Sequence, residues 1–163
     1  MRKTIGALVG ICTAAAMLAS PAHATNIGDE GCTPGYWKNH TDSWQETGSL
    51  SPNTPLTFDH SATDNIPPFA PSSDDLNADG STDTFLDALY FKGGPGLVGA
   101  ERILFRAAVA SWLNASNEGV GFPLRRKDFV PEVNAAIATG DRQTMIDYAS
   151  YLDGLNNLGC PLN

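Results

Sequence analysis

Nine residues, Asp75-Leu76-Asn77-Ala78-Asp79-Gly80-Ser81-Thr82-Asp83, carry the clearest chemical pattern in this chain. Oxygen-bearing side chains recur at the first, third, fifth and ninth places. Gly80 stands at the sixth for a sharp turn, and Ser81 offers a main-chain carbonyl at the seventh. This matches the opening of an EF-hand-like calcium loop, because calcium is a hard cation that takes six to eight oxygens. The match is incomplete. The twelfth place, where a bidentate acid is expected, is Leu86, and Asp87 lies one residue late. The expected ligand set is therefore Asp75, Asn77, Asp79, Ser81, Asp83 and Asp87, with calcium as the cofactor. The plain alternative is a solvated polar loop, since Asp, Asn and Gly are ordinary turn residues.

A second group is aromatic: Tyr36, Trp37, His40 and Trp44. Exposed rings of this kind stack on sugars or fill a partner's pocket, so the four residues form a candidate binding surface. The competing reading, and the commoner one for large aromatics beside a disulfide, is that they build core. His40 and His60 are not linked by any metal-ligand spacing, so no transition-metal site is expected. Gly94-Pro95-Gly96-Leu97-Val98-Gly99 fits G-x-G-x-x-G in form, but helices rather than a βαβ unit surround it. A tight turn and close helix packing are the better reading of those glycines. The sequence holds no G-x-S-x-G and no H-E-x-x-H, and neither histidine has a recognisable nucleophile context.

Export is expected from the first 24 residues. Arg2 and Lys3 precede an apolar run from Ile5 to Leu18, then Ser20-Pro21 and the small-x-small tripeptide Ala22-His23-Ala24. That is the anatomy of a cleaved signal peptide, and the apolar run is too short to span a bilayer. No later segment is apolar enough to insert. The leader contains two bases and no acid, so residues 25–163 carry 18 acids against 8 bases, a formal charge of −10. Such a balance argues against nucleic acid and anionic membranes as partners. Two cysteines remain, Cys32 and Cys160, and an even pair in an oxidising compartment reads as a disulfide.

The elements follow from periodicity. Cys32 to Gly35 reads as a turn, and Tyr36 to Trp44 as a short helix. Residues 47–83 are rich in Pro, Ser, Thr, Asp and Asn and read as a loop-rich insertion anchored by Phe58, Ile66 and Phe69. Thr84 is placed to cap a helix ending before Gly93. A largely apolar helix runs from Leu97 to Asn114, with Arg102 and Arg106 on a narrow polar face. Asp128 is expected to cap the next helix, with Pro131 in its first turn, and Asp141 the last, which Gly154 should stop. The expected fold is a small, mainly α single domain over 25–163. It has about three to four helices and a long polar loop, stapled by one disulfide.

Gly31-Cys32-Thr33-Pro34-Gly35-Tyr36-Trp37-Lys38-Asn39-His40, followed by Trp44, resembles a motif at the start of a group of uncharacterised secreted bacterial proteins. Thr84 to Leu89, Gly99-Ala100, Trp112-Leu113-Asn114-Ala115, Leu152-Asp153 and Asn156-Asn157 before Cys160 resemble the same group. The resemblance implies a secreted or periplasmic location and a module boundary, and it transfers no catalytic residue. The leading expectation is a secreted or cell-surface, non-catalytic module with a binding or structural role, its partner a cell-surface glycan or protein. One alternative is an extracellular hydrolase using paired carboxylates, which 18 acids leave open. The other is a calcium-stabilised component of an extracellular matrix.

Overall fold

A computed structural model describes residues 28–47, 50–61 and 65–162. The expected leader lies outside the described residues. The protein is mainly α-helical. Among the described residues there are five α-helices and one 3-10 helix, somewhat more than the three to four expected. They are α1 (Pro34–Asn39), the 3-10 helix (Thr41–Thr47), α2 (Phe85–Tyr90), α3 (Gly96–Ser116), α4 (Arg126–Ala138) and α5 (Arg142–Asn156). None of the described helices is long and apolar enough to cross a membrane.

The central element is α3, which packs against every other α-helix, most extensively α5. Leu104, Phe105, Val109, Trp112 and Leu113 are fully buried on it. Ala107, Ala108 and Ala110 are buried between them, and small side chains let a neighbouring backbone come close. Burial on α3 begins only at Gly99, so Leu97, the start of the expected apolar helix, is 47% exposed. A Cβ at Gly99 would collide with the Gly94 carbonyl, and Gly96 has φ +73°. The glycine-rich stretch therefore serves turn geometry and close packing, as its sequence context suggests.

Helix boundaries follow local chemistry with three departures. Thr84 caps α2 in a reciprocal capping box with Asp87. Asp141 caps α5, accepting from the Thr144 amide at 2.7 Å and its hydroxyl at 2.8 Å. Asp128, however, is not a cap. It lies in the first turn of α4 and pairs with Arg125 at 2.7 Å, so that helix starts earlier and Pro131 falls inside it. Gly154 does not stop α5, which continues to Asn156 because the buried Asn156 side chain is fixed by tertiary bonds. The N-terminal stretch forms α1 and a 3-10 helix rather than one helix.

The 47–83 segment, expected to be loop, has little regular structure among its described residues yet adds to the core. Leu50, Leu56, His60, Ile66, Phe69 and Leu76 are all buried. Phe58, an expected anchor, is 47% exposed, and Leu56 fills that role. The segment is strapped down by polar side chains from the helices. Glu101 of α3, 1% exposed, accepts the Ser72 amide at 2.6 Å and its hydroxyl. Asn134 of α4 bonds the Pro68 carbonyl and the Ala70 amide, each at 2.9 Å. Phe69, Phe85, Phe105 and Trp112 meet edge-on or tilted beneath it, with centroids 5.6–6.0 Å apart.

Candidate functional site

The N-terminal motif is a lock before it is anything else. Thr33 caps α1 by accepting from the Tyr36 amide at 3.1 Å, and Pro34 follows at a first-turn position where no amide is required. This turns Trp37 inward. Its indole N–H donates to Asn114 Oδ1 at 3.0 Å, and the side chain is fully buried. Trp44 is 1% exposed, and its indole N–H donates to the Trp37 carbonyl at 3.0 Å. Tyr36 is mostly buried; its ring stacks on His40 with centroids 4.3 Å apart. His40 is the exposed member, and its Nδ1 lies 2.9 Å from the Tyr36 carbonyl. Of the four residues of the expected aromatic binding surface, only His40 is exposed. Both indole rings lie inside the core, because each N–H finds its acceptor there.

Cys32 and Cys160 are joined by a disulfide that spans 128 residues. Beside it, the Gly31 amide donates to the Gly159 carbonyl at 3.0 Å. A side chain at Gly31 would strike the Leu155 carbonyl, so the segment lies flat on the end of α5.

Asn114 holds this junction together. Its Oδ1 accepts from the Cys32 amide at 2.8 Å and from Trp37, while its Nδ2 donates to the Cys32 carbonyl at 2.9 Å and to Asn156 Oδ1 at 2.8 Å. Asn156 Oδ1 also accepts from the Ser111 hydroxyl at 3.1 Å, and its Nδ2 donates to the Ala107 carbonyl at 3.0 Å. Ser111, Asn114 and Asn156 are all fully buried. An amide side chain offers two donors and two acceptors, and Asn114 uses all four. Sequence reasoning placed both asparagines in the resemblance but gave them no structural task. The available signal was an asparagine inside an apolar helix run, since a polar group at such a place must be paired.

The acidic loop is ordered by its own side chains. Asp75 accepts from the amides of Asp79 at 3.0 Å and Gly80 at 2.9 Å. Asn77 accepts from the Asp79 amide, and Asp79 from the Ser81 amide, each at 2.9 Å. The Ser81 hydroxyl and amide hold the Asp79 carboxyl below its usual range. Arg102 reaches from α3 to the Leu76 carbonyl. Asp83 is 2% exposed, and its Oδ2 accepts from the Leu76 amide while its Oδ1 has no donor and is shielded from solvent. Burial pushes the Asp83 carboxyl up; the Leu76 amide and, more weakly, the Asn77 amide oppose this, and nearby Asp87 and Asp75 add to the rise. Asp87, expected as a sixth ligand, is committed elsewhere. Its Oδ2 accepts from the Thr84 amide at 2.9 Å and hydroxyl at 2.7 Å. Among the described residues, no three His, Cys, Asp or Glu side chains are arranged to hold a metal.

Two open grooves flank these features. One of about 420 Å³ runs along the outer face of the N-terminal motif, past Thr33, Lys38, Tyr90, Lys92, Arg106 and Asp153. The Lys38 ammonium lies 5.3 Å from the centre of the Tyr90 ring, and Tyr90 is 56% exposed. An adjoining cavity of about 280 Å³ shares Tyr90 and Lys92 and adds Arg102, Asn77 and Asp87. Lys38, Lys92, Arg102 and Arg106 are half of the 8 bases after residue 24, gathered on one side of an acidic chain. The other groove, about 470 Å³, lies between α4 and α5 and is lined by Glu132, Asp147, Tyr148 and Tyr151. Burial, with smaller contributions from Glu132 and Tyr151, pushes the Tyr148 hydroxyl up to about 12.

No family model, curated protein or solved structure matches this chain.

Proposed function

We propose that the protein is an exported, non-catalytic cell-surface module that binds acidic glycans. The observation that carries this reading is the basic groove along the outer face of the N-terminal motif. There Lys38 lies over the exposed Tyr90 ring, and Lys92 and Arg106 line the same groove, with Asp153 also in its wall. A sugar face stacks on a tyrosine ring, and carboxylate or sulfate groups along a glycan meet the cations. The inward face of the same motif is locked by Asn114 and the disulfide, so Lys38 is presented from a rigid base. A preorganised site loses less conformational freedom on binding.

The test is retention of the purified protein on an immobilised polyuronate compared with a neutral glucan. The expected result is binding to the polyuronate alone, weakened at high salt because the charges are exposed. Tyr90→Ala and Lys92→Glu should each weaken it by roughly tenfold, about 1.4 kcal/mol. Equal retention on both matrices, or on neither, contradicts the proposal.

A further inference from the structure

We infer that the groove between α4 and α5 is a binding site for an aliphatic amine, a primary ammonium group carried on a short methylene chain. The inference is independent of the glycan reading and concerns a ligand of opposite charge. The chain passes from α4 into α5 within residues 139–141, where Gly140 takes φ +62°, a turn conformation that suits glycine. The groove walls are two helix faces. Lining residues run from Glu132 to Thr139 on one and from Thr144 to Tyr151 on the other, each set at the i, i+3, i+4, i+7 spacing of a single face. Ala135 and Ala136 leave room between the helices, and the space of about 470 Å³ is of the size that holds a small molecule.

Charge and ring chemistry together choose the ligand. Glu132 stands on one wall and Asp147 on the other, and no basic side chain lines the groove. Among the described residues neither carboxylate is paired with a base; Asp147 Oδ1 accepts from Gln143 Nε2 at 2.7 Å. Both acids are therefore available to accept from an ammonium group in charge-assisted hydrogen bonds. The tyrosines select the kind of cation. Tyr148 is half-buried and Tyr151 is 49% exposed, and their ring centroids lie 5.8 Å apart. Aromatic rings attract an ammonium through their quadrupole, and ring carbon with the two alanines gives methylene groups an apolar wall. A hydrated metal ion gains nothing from such walls, and an anion is repelled by the acids. Burial, then Glu132 and Tyr151, pushes the Tyr148 hydroxyl up to about 12, so the charge of Glu132 on α4 is felt at the ring on α5. The acid of one wall and the aromatic of the other thus act on the same space.

The probe is butanediamine, titrated into the purified full chain at constant ionic strength, with butanediol as its neutral counterpart. Amide shifts should change saturably across residues 132–139 and 144–151, with a Kd on the order of 1 mM, and the diol should leave them unmoved. Glu132 and Tyr151 are exposed, so substitutions there should leave folding intact. Glu132→Gln and Tyr151→Ala should each weaken diamine binding by about threefold or more. A groove that stays silent, shifts spread over the other acidic segments, or an equal response to the diol overturns the inference. Wild-type affinity in either variant overturns it as well, since the amine would then be held elsewhere.

Discussion

Replacing Asn114 by alanine removes four hydrogen bonds from a place where water has no access. The Cys32 amide, the Cys32 carbonyl and the Trp37 indole N–H would each lose their partner, while Asn156 Oδ1 would keep the Ser111 hydroxyl. Three stranded buried groups at about 1–2 kcal/mol each give a loss of about 3–6 kcal/mol, before any cost of the void. That is a large part of the roughly 5–15 kcal/mol that a domain of this size commands. Asn114→Asp is a sharper probe. It keeps the two accepted bonds but sets an oxygen, with charge, against the Cys32 carbonyl and Asn156 Oδ1. It should be at least as destabilising as alanine. Asn157→Ala, which removes one exposed bond to the Asp153 carbonyl, is the control and should cost about 0.5 kcal/mol or less. The assay is urea unfolding followed by tryptophan emission, with near-ultraviolet dichroism reporting the Trp37 environment. If Asn114→Ala unfolds within about 1 kcal/mol of wild type, the network does not hold the N-terminal motif in place.

Cys32→Ser should lower stability by up to about 5 kcal/mol in the chain-entropy account of a loop this long, and limited proteolysis should then cut first near the N-terminal motif. Gly99→Ala should cost about 1–3 kcal/mol by urea unfolding, because the new methyl meets the Gly94 carbonyl at the foot of α3. Tyr148 should ionise near pH 12 in the folded protein, well above the ordinary tyrosine value of about 10, which an ultraviolet titration of the phenolate reads directly. Its folded pKa is raised, so its contribution to stability is complete below about pH 10 and is lost as pH rises toward 12; Tyr148→Phe should flatten that slope.

Much of the fold was legible because its signals are local. Thr84 and Asp141 announce helix starts through hydrogen bonds to residues three places on, and the long apolar run of α3 can only be a buried helix. The end of α5 was not legible. Gly154 is a fair local stop, and a tertiary bond from Asn156 to the Ala107 carbonyl overrides it. Asp128 misled for a related reason: an acid in the first turn of a helix and an acid at its cap look alike until the partner, here Arg125, is known. The polar 47–83 segment hides scattered anchors such as Leu56 and Leu76, which carry no periodicity for a sequence to show. At the site, the aromatic motif was visible but its direction was not. Whether Trp37 faces solvent or core depends on Asn114, 77 residues away. The basic groove was invisible for the same reason. Lys38, Lys92 and Arg106 meet only because α1, α2 and α3 pack together.

The most direct test of the binding account is a map of amide shifts in the purified protein as a polyuronate oligomer is titrated in. The account predicts saturable changes centred on residues 33–38 and 89–92, reduced by Lys92→Glu. Changes centred instead on Tyr148 and Tyr151, or none at all, would contradict it.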